Sequence, residues 1–146
     1  MCEGKVFVDK LKLSIYNASQ PVSSMDSGSI SCRLWLGARW ADSEYGKKSL
    51  QLPGSKSKKC VRVHRLVYSL YTLNMNDMPQ NITEELLDPP HTDSTGTRLD
   101  VSHLCHQPLC VNPEHLVLEP HRINILRITC QKQGKCTGDH SPTCIF

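Results

Sequence analysis

The chain alternates between short apolar segments and polar segments that contain proline or glycine. Residues 29–40 alternate between apolar and polar side chains, which predicts a β-strand with Cys32 near its start. A Pro-Gly pair and several serines predict a turn within residues 49–59. Strand-forming residues follow this turn from Cys60, so we expect a small antiparallel sheet in this part of the chain.

Helical periodicity follows that strand. Apolar residues between Leu66 and Tyr71 recur at the spacing of one helix face. A second helix is predicted over residues 120–130, because Pro120 suits a first helical turn. Between the two, residues 78–100 are rich in proline and short polar residues, and they predict a loop with one short helical turn.

Two short apolar segments flank a loop that contains cysteine and proline. These segments, residues 99–104 and 114–119, predict the two strands of a compact hairpin. Residues 130–144 contain glycine, serine and proline, and they cannot bury a core of their own. The pattern therefore predicts an α+β fold with little regular core.

Length and composition indicate one domain that needs stabilisation beyond its hydrophobic core. The 146 residues are 38% hydrophobic and 5% aromatic, yet they include eight cysteines and seven histidines. The first residues lack the apolar run of a signal peptide, and no segment approaches the length of a membrane span. We therefore expect an intracellular location, in the nucleus or cytoplasm and not secreted, where reduced thiols favour zinc over disulfides.

Charge is unevenly distributed along the chain. Residues 39–65 contain eight basic and two acidic side chains, whereas residues 77–100 contain six acidic side chains and one basic. This asymmetry favours a surface that binds a polyanion. A solvated, lysine-rich loop is the alternative that charge alone leaves open.

Four potential metal ligands lie close together in the C-terminal segment. Cys130, Cys136, His140 and Cys144 form a C-x5-C-x3-H-x3-C pattern in a segment without other stabilising features. Four thiolate and imidazole ligands are what a structural zinc site requires. The alternative is a pair of disulfides with an incidental histidine.

A second set of ligands occupies the predicted hairpin loop but is incomplete. Cys105, Cys110 and His115 supply three ligands, and a closed zinc site needs a fourth. The remaining candidates for the fourth ligand are His103, His106, Cys2, Cys32 and Cys60. Spacing does not choose between them.

The hairpin sequence is similar to the His-Cys box homing endonucleases, which belong to the His-Me finger (ββα-metal) nucleases. The shared features are S-H-L-C-H from Ser102, a second cysteine five residues after the first, N-P-x-H-L, and an asparagine 21 residues after the leading histidine. The similarity extends from about Cys32 to the C-terminus and is close over residues 102–144.

This resemblance implies a Mg2+-dependent DNA endonuclease with a ββα-metal motif. His103 matches the general base that takes a proton from water, and Asn124 matches the protein ligand of one catalytic Mg2+. The expected products are a 5′-phosphate and a 3′-hydroxyl. The histidines His64, His106 and His121 are expected to have no catalytic role.

The resemblance also implies two structural zinc ions. Cys105, Cys110 and His115 match ligands of the first zinc, and its fourth ligand in the family is a cysteine on an upstream strand, for which Cys32 is the match. The second zinc matches the four C-terminal ligands Cys130, Cys136, His140 and Cys144. His140 follows its preceding cysteine at a longer spacing than in the family.

Double-stranded DNA is the partner that the resemblance implies. The family uses a basic residue near the scissile phosphate, and Lys58, Lys59 or Arg62 matches that place; Arg39 and Lys56 are further expected DNA contacts. The sequence does not exclude a homodimer, although the chain lacks the longer C-terminal tail that family members exchange between subunits. No membrane association is expected.

A catalytically inactive DNA-binding module is the alternative function. The C-V-N-P-E-H segment also resembles the zinc-bearing DNA-binding domain of Smad transcription factors, which lacks the catalytic pair. Because this chain has both His103 and Asn124, we expect an active enzyme.

The expected single nuclease domain divides into an N-terminal extension (1–28), a basic sheet and helix (29–76), an acidic loop (77–100), the ββα-metal motif (101–129) and a C-terminal zinc loop (130–146).

Overall fold

Short helices and strand pairs make up the chain in the computed structural model, which describes residues 2–22 and 31–146. The helices are α1 (Glu3–Asn17), α2 (Val63–Thr72), α3 (Glu84–Leu87) and α4 (His121–Gln133). The strands are β1 (Ser19–Pro21), β2 (Arg33–Trp35), β3 (Lys47–Leu50), β4 (Lys59–Arg62), β5 (Leu99–His103) and β6 (Leu116–Pro120). Consecutive strands pair antiparallel as β1–β2, β3–β4 and β5–β6. The predicted α+β class is confirmed, with strand pairs in place of one sheet.

The predicted turn joins β3 to β4, and α2 begins directly after β4. In this hairpin Lys47 lies opposite Arg62, and Leu50 lies opposite Lys59. Helix α2 is the most buried helix of the described chain, and seven of its ten residues are buried. Tyr71 was expected on its apolar face but is half exposed, and the Lys12 ammonium lies 4.7 Å from its ring centroid.

Strand β2 is shorter than the predicted strand at residues 29–40. Residues 29 and 30 lie outside the described part of the chain. The strand ends at Trp35, whose buried ring lies against Gly37, where an added Cβ would lie 2.3 Å from the ring. Main-chain hydrogen bonds continue from β2 to the loop of the β5–β6 hairpin, from Trp35 N to Leu109 O and from Val111 N to Arg33 O.

Helix α1 was not predicted, although it contributes to the core. Val8, Leu11 and Ile15 are buried in the same cluster as the apolar side chains of α2. Gly4 contacts the segment after α2, since an added Cβ would lie 2.7 Å from the Pro79 carbonyl oxygen. The helical spacing was present in the sequence, but Leu13 on the exposed face obscures it.

The predicted β5–β6 hairpin and the helix that follows it are present. Val101 and Leu116 extend the core into the hairpin, and α4 begins at His121 directly after Pro120. Helix α4 ends at Gln133, and the following Gly134 adopts a left-handed backbone conformation with φ of 69° that suits glycine. Within the described residues, no helix combines the length and apolar character needed to cross a membrane.

Candidate active site and metal clusters

The first Cys/His cluster joins β2 to the loop of the β5–β6 hairpin. The ligand atoms of Cys32, Cys105, Cys110 and His115 all lie within 4.8 Å of one another. Cys32 Sγ and Cys110 Sγ each lie 3.5 Å from His115 Nδ1. Zinc–sulfur bonds of about 2.3 Å in a tetrahedron place ligand atoms roughly 3.8 Å apart, so this cluster could hold a structural zinc ion.

The second cluster joins the end of α4 to the C-terminal segment. The Sγ atoms of Cys130, Cys136 and Cys144 lie 3.3, 3.7 and 3.6 Å from His140 Nε2. His140 Nδ1 donates to the Pro142 carbonyl at 3.0 Å, so the lone pair of the neutral ring is on Nε2, facing the thiols. This cluster could also hold zinc, and the eight cysteines of the described chain form no disulfide.

Thiol electrostatics in the second cluster also fit a cation. The pKa of Cys144 is raised to about 11, chiefly by burial and in part by the neighbouring Cys130 and Cys136 thiols, although a hydrogen bond from Arg127 lowers it. Burial and the close packing of the thiols therefore make negative charge on Cys144 unfavourable. A bound divalent cation would remove that cost, because zinc binds thiolates directly.

His103 lies at the end of β5, opposite Leu116, and has a defined tautomer. Its Nε2 donates to the Cys110 carbonyl at 3.0 Å, so Nδ1 of the neutral ring is left as a proton acceptor. The side chain is buried, and burial lowers the pKa of His103 to about 4. The imidazole is therefore neutral at physiological pH.

Two aromatic side chains that the sequence did not indicate accompany His103. The His64 ring lies against both Tyr45 and His103, with ring centroids 4.7 Å and 4.9 Å away. Tyr45 lies 6.0 Å from the His103 ring, centroid to centroid. His64 Nδ1 is buried without a hydrogen-bond partner in the described part of the chain. No local motif could have identified these neighbours, since the turn before β3, helix α2 and strand β5 bring them together.

Asn124 lies on α4, where its amide is oriented by Asp100 of β5. Its Nδ2 donates to Asp100 Oδ2 at 2.9 Å, and His121 Nδ1 donates to the same oxygen at 2.6 Å. Burial raises the pKa of Asp100, but the hydrogen bonds from His121 and Asn124 hold it below its ordinary value. Asp100 is therefore a carboxylate, and Asn124 Oδ1 is the amide oxygen left to bind a ligand.

The comparison with protein families agrees with this geometry. A family model described as the zinc-binding loop region of homing endonuclease matches residues 36–146. The chain belongs to this family. The match includes His103, Asn124 and both clusters except Cys32, which precedes it. Searches of curated proteins and of solved structures found no significant match.

This member of the homing endonuclease family has a concentration of positive charge on the β3–β4 hairpin. Lys47 and Arg62 lie directly opposite each other, 5.4 Å and 6.0 Å from the Trp40 ring centroid. Like charges at opposite positions destabilise a hairpin, so the pair suits the binding of an anion. Arg62 also lies 5.6 Å from the Tyr45 ring centroid, which places it beside the ring group of His103.

The other expected DNA contacts have different surroundings. Lys59 forms an exposed ion pair with Glu84 of α3. Lys56 and Lys58 are exposed in the turn between β3 and β4, and Arg39 is exposed where its backbone bridges Gly46. Of the three basic residues that matched the place near the scissile phosphate, Arg62 is the one that contacts Tyr45.

Proposed function

We propose that this protein is a metal-dependent endonuclease that hydrolyses phosphodiester bonds of double-stranded DNA. One observation carries the proposal. His103 and Asn124 each have one polar atom hydrogen-bonded within the protein, which leaves His103 Nδ1 and Asn124 Oδ1 for chemistry. A proton acceptor and an amide oxygen on a β-hairpin and its following helix are the protein groups that a hydrolytic ββα-metal site requires.

His103 acts as the general base. Nδ1 accepts a proton from a water molecule, and the resulting hydroxide attacks phosphorus as the bond between phosphorus and the 3′ oxygen breaks. The products are a 5′-phosphate and, once the 3′ oxygen takes a proton from solvent, a 3′-hydroxyl. Asn124 Oδ1 would hold the catalytic Mg2+, which commonly completes its coordination with water and substrate phosphate oxygens. When bound, that ion would stabilise negative charge on the leaving 3′ oxygen.

Tyr45 connects the base to the rest of the site. It lies beside the rings of His64 and His103, and Arg62 lies over its ring. Burial raises the pKa of Tyr45, while the charge of Arg62 lowers it and that of Asp100 raises it. Tyr45 thus lies within electrostatic range of both Arg62 and Asp100. We therefore assign Arg62 to the scissile phosphate, because a guanidinium can donate hydrogen bonds to two phosphate oxygens at once.

Two structural zinc ions hold this site in place. The first cluster attaches β2 to the hairpin loop, whose Cys110 carbonyl orients His103. The second attaches the C-terminal segment to α4, the helix of Asn124. Zinc-dependent attachment compensates for a small hydrophobic core, as in other small domains.

The direct test is nicking of supercoiled plasmid DNA by zinc-loaded protein, with and without Mg2+. Mg2+ is omitted rather than chelated, because a chelator would also remove zinc. His103→Gln keeps a side-chain N–H within reach of the Cys110 carbonyl but provides no base. We expect it to lower the nicking rate by about 10²–10⁴-fold. His91→Ala is the matched control, because His91 is exposed and outside the motif.

The outcomes separate the two candidate functions. Mg2+-dependent nicking by the wild type and by His91→Ala, but not by His103→Gln, supports the endonuclease. Equal nicking by His103→Gln would show that His103 is not the base. Salt-sensitive DNA binding without nicking at any Mg2+ concentration would favour the inactive DNA-binding module.

A further inference from the structure

Asp100 has no role in the resemblance, yet its carboxylate joins the candidate metal ligand to the hairpin. It lies on β5 and is mostly buried, with a side chain that is 16% exposed. Its Oδ2 accepts from Asn124 Nδ2 at 2.9 Å and from His121 Nδ1 at 2.6 Å. Its Oδ1 accepts a longer hydrogen bond of 3.3 Å from Arg98 Nε.

The direction of these bonds decides the orientation of the Asn124 amide. A carboxylate only accepts hydrogen bonds, so it can face the NH2 group of an asparagine but not its carbonyl oxygen. The reversed amide would place Oδ1 against Asp100 Oδ2 with no proton between the two oxygens, so they would repel each other at close range. The Asp100 carboxylate therefore selects the amide orientation in which Asn124 Oδ1 points away from Asp100.

We propose that Asp100 is a positioning residue that fixes Asn124 Oδ1 in the orientation for binding a divalent cation, with His121 holding the carboxylate in place. The inference rests on the proposed function, in which Asn124 is the protein ligand of the catalytic ion. Asp100 acts through Asn124, because the shared oxygen of its carboxylate accepts from both Asn124 and His121. Hydrogen-bond partners of metal ligands typically change metal affinity or activity by about 10–100-fold.

His121 and Asp100 belong to two different elements, which makes the arrangement rigid. Asp100 lies within the β5–β6 pairing, opposite Glu119. His121 is the first residue of α4, one turn before Asn124. The carboxylate thus binds the first turn of the helix at two points, and rotation of Asn124 would break one of them. An amide held only by solvent would sample both orientations.

The activity test is a Mg2+ titration of plasmid nicking by the zinc-loaded full chain. Asp100→Ala removes the acceptor, and we expect the Mg2+ concentration for half-maximal rate to rise by about tenfold or more. Saturating Mg2+ should restore much of the rate, because His103 is unchanged. Asp100→Asn keeps one oxygen acceptor and should show a smaller shift, and it is the second variant should Asp100→Ala fold poorly.

A binding test that does not depend on activity uses Mn2+ as the probe. The side-chain amide signal of Asn124 in a nitrogen-correlated NMR spectrum is assigned by its loss in Asn124→Ala. Paramagnetic broadening of this signal reports Mn2+ at the site. We expect Asp100→Ala to need about tenfold more Mn2+ for equal broadening. Asp93→Ala is the charge-matched control, because Asp93 is an exposed loop carboxylate that bonds Thr95.

The results distinguish this inference from the proposed function. Higher Mg2+ and Mn2+ requirements in Asp100→Ala, but not in Asp93→Ala, support positioning by Asp100. Unchanged metal requirements, or absence of Mn2+ broadening at Asn124 in the wild type, overturn it. If the wild type does not nick plasmid at any Mg2+ concentration, the endonuclease proposal fails, and the Mn2+ titration still decides the role of Asp100.

Discussion

At the scale of single residues, the candidate site depends on which atom of each polar side chain is already hydrogen-bonded. The Cys110 carbonyl accepts a hydrogen bond from the N–H of His103, and the Asp100 carboxylate accepts one from the NH2 group of Asn124. Each partner can only accept, so each leaves an acceptor atom on the side chain that donates to it. These two acceptor atoms are the ones that we propose as the base and the metal ligand.

Arg62 provides the first prediction at this scale. It is exposed and forms no ion pair with the described residues, so Arg62→Ala should leave the stability of the protein nearly unchanged. We expect kcat/KM for plasmid nicking to fall by about 10²-fold, the usual effect of removing one charged donor from a transition state. Single-turnover nicking at fixed salt, with urea unfolding in parallel, measures both quantities.

The matched control for Arg62 is Lys56→Ala. Lys56 is an exposed basic residue in the turn of the same hairpin, so its removal changes the net charge equally. We expect it to weaken DNA binding slightly and to lower the salt dependence of binding, with little effect on the rate at saturating DNA. Equal losses of rate in both variants would assign Arg62 to general attraction of DNA.

The resemblance to the His-Cys box family assigned roles to residues of the hairpin and of the helix after it, but not to their neighbours. His103, Asn124 and the hairpin ligands could be matched because the residues of the family's motif follow one another at defined spacings. Asp100, Tyr45 and His64 carry no such signal, since their contacts arise only when α2, α4 and the turn before β3 pack around β5. The role of Asp100 depends on the direction of hydrogen bonds, which spacing does not contain.

At the scale of elements, hairpins were easier to predict than helix α1. The β3–β4 and β5–β6 pairs are local, because a recognisable turn or ligand loop joins each pair of strands. Helix α1 is stabilised by contacts with distant α2 and with residues around Pro79. The stability of such a helix depends more on the apolar surface that it buries against other elements than on the helix propensity of its own residues.

A buried ion pair attaches α4 to its surroundings. Arg127 Nε and Nη2 donate to Glu119 of β6 at 2.7 and 2.8 Å, and the two side chains are 2% and 6% exposed. Arg127 Nη1 donates to the Pro142 carbonyl at 2.9 Å and lies 3.7 Å from Cys144 Sγ. One guanidinium therefore links the helix of Asn124, the hairpin and the second cluster.

Arg127→Met should destabilise the folded protein by about 3–5 kcal/mol, because it leaves the Glu119 carboxylate buried without a partner. Adding Glu119→Gln should recover part of this loss. Urea unfolding of zinc-loaded protein at pH 7 measures both effects. Arg122→Met is the control on the same helix, since Arg122 is exposed, and it should change stability by less than about 0.5 kcal/mol. A similar loss in both variants would contradict the ion-pair argument.

At the scale of the whole molecule, the second Cys/His cluster attaches a part of the chain that the apolar core does not reach. The buried apolar cluster includes residues of α1, α2 and the β5–β6 hairpin, but none beyond Leu116. The segment after α4 is mostly exposed and is attached through its own cluster. If zinc occupies both clusters, its binding free energy becomes part of the folding free energy.

Thiol reactivity tests this view of the molecule. Six of the eight cysteines lie in the clusters, and Cys2 and Cys60 do not. In zinc-loaded protein we expect a thiol reagent to modify exposed Cys60 quickly and half-buried Cys2 more slowly, because bound zinc protects the other six thiolates.

Metal analysis should give two zinc ions per chain, and chelation without any reductant should expose all eight thiols. Disulfides in place of zinc would keep the cluster cysteines unreactive after chelation. A Cys60→Ser variant should lose only the fast phase, so rapid reaction of four or more thiols before chelation would contradict two closed zinc sites.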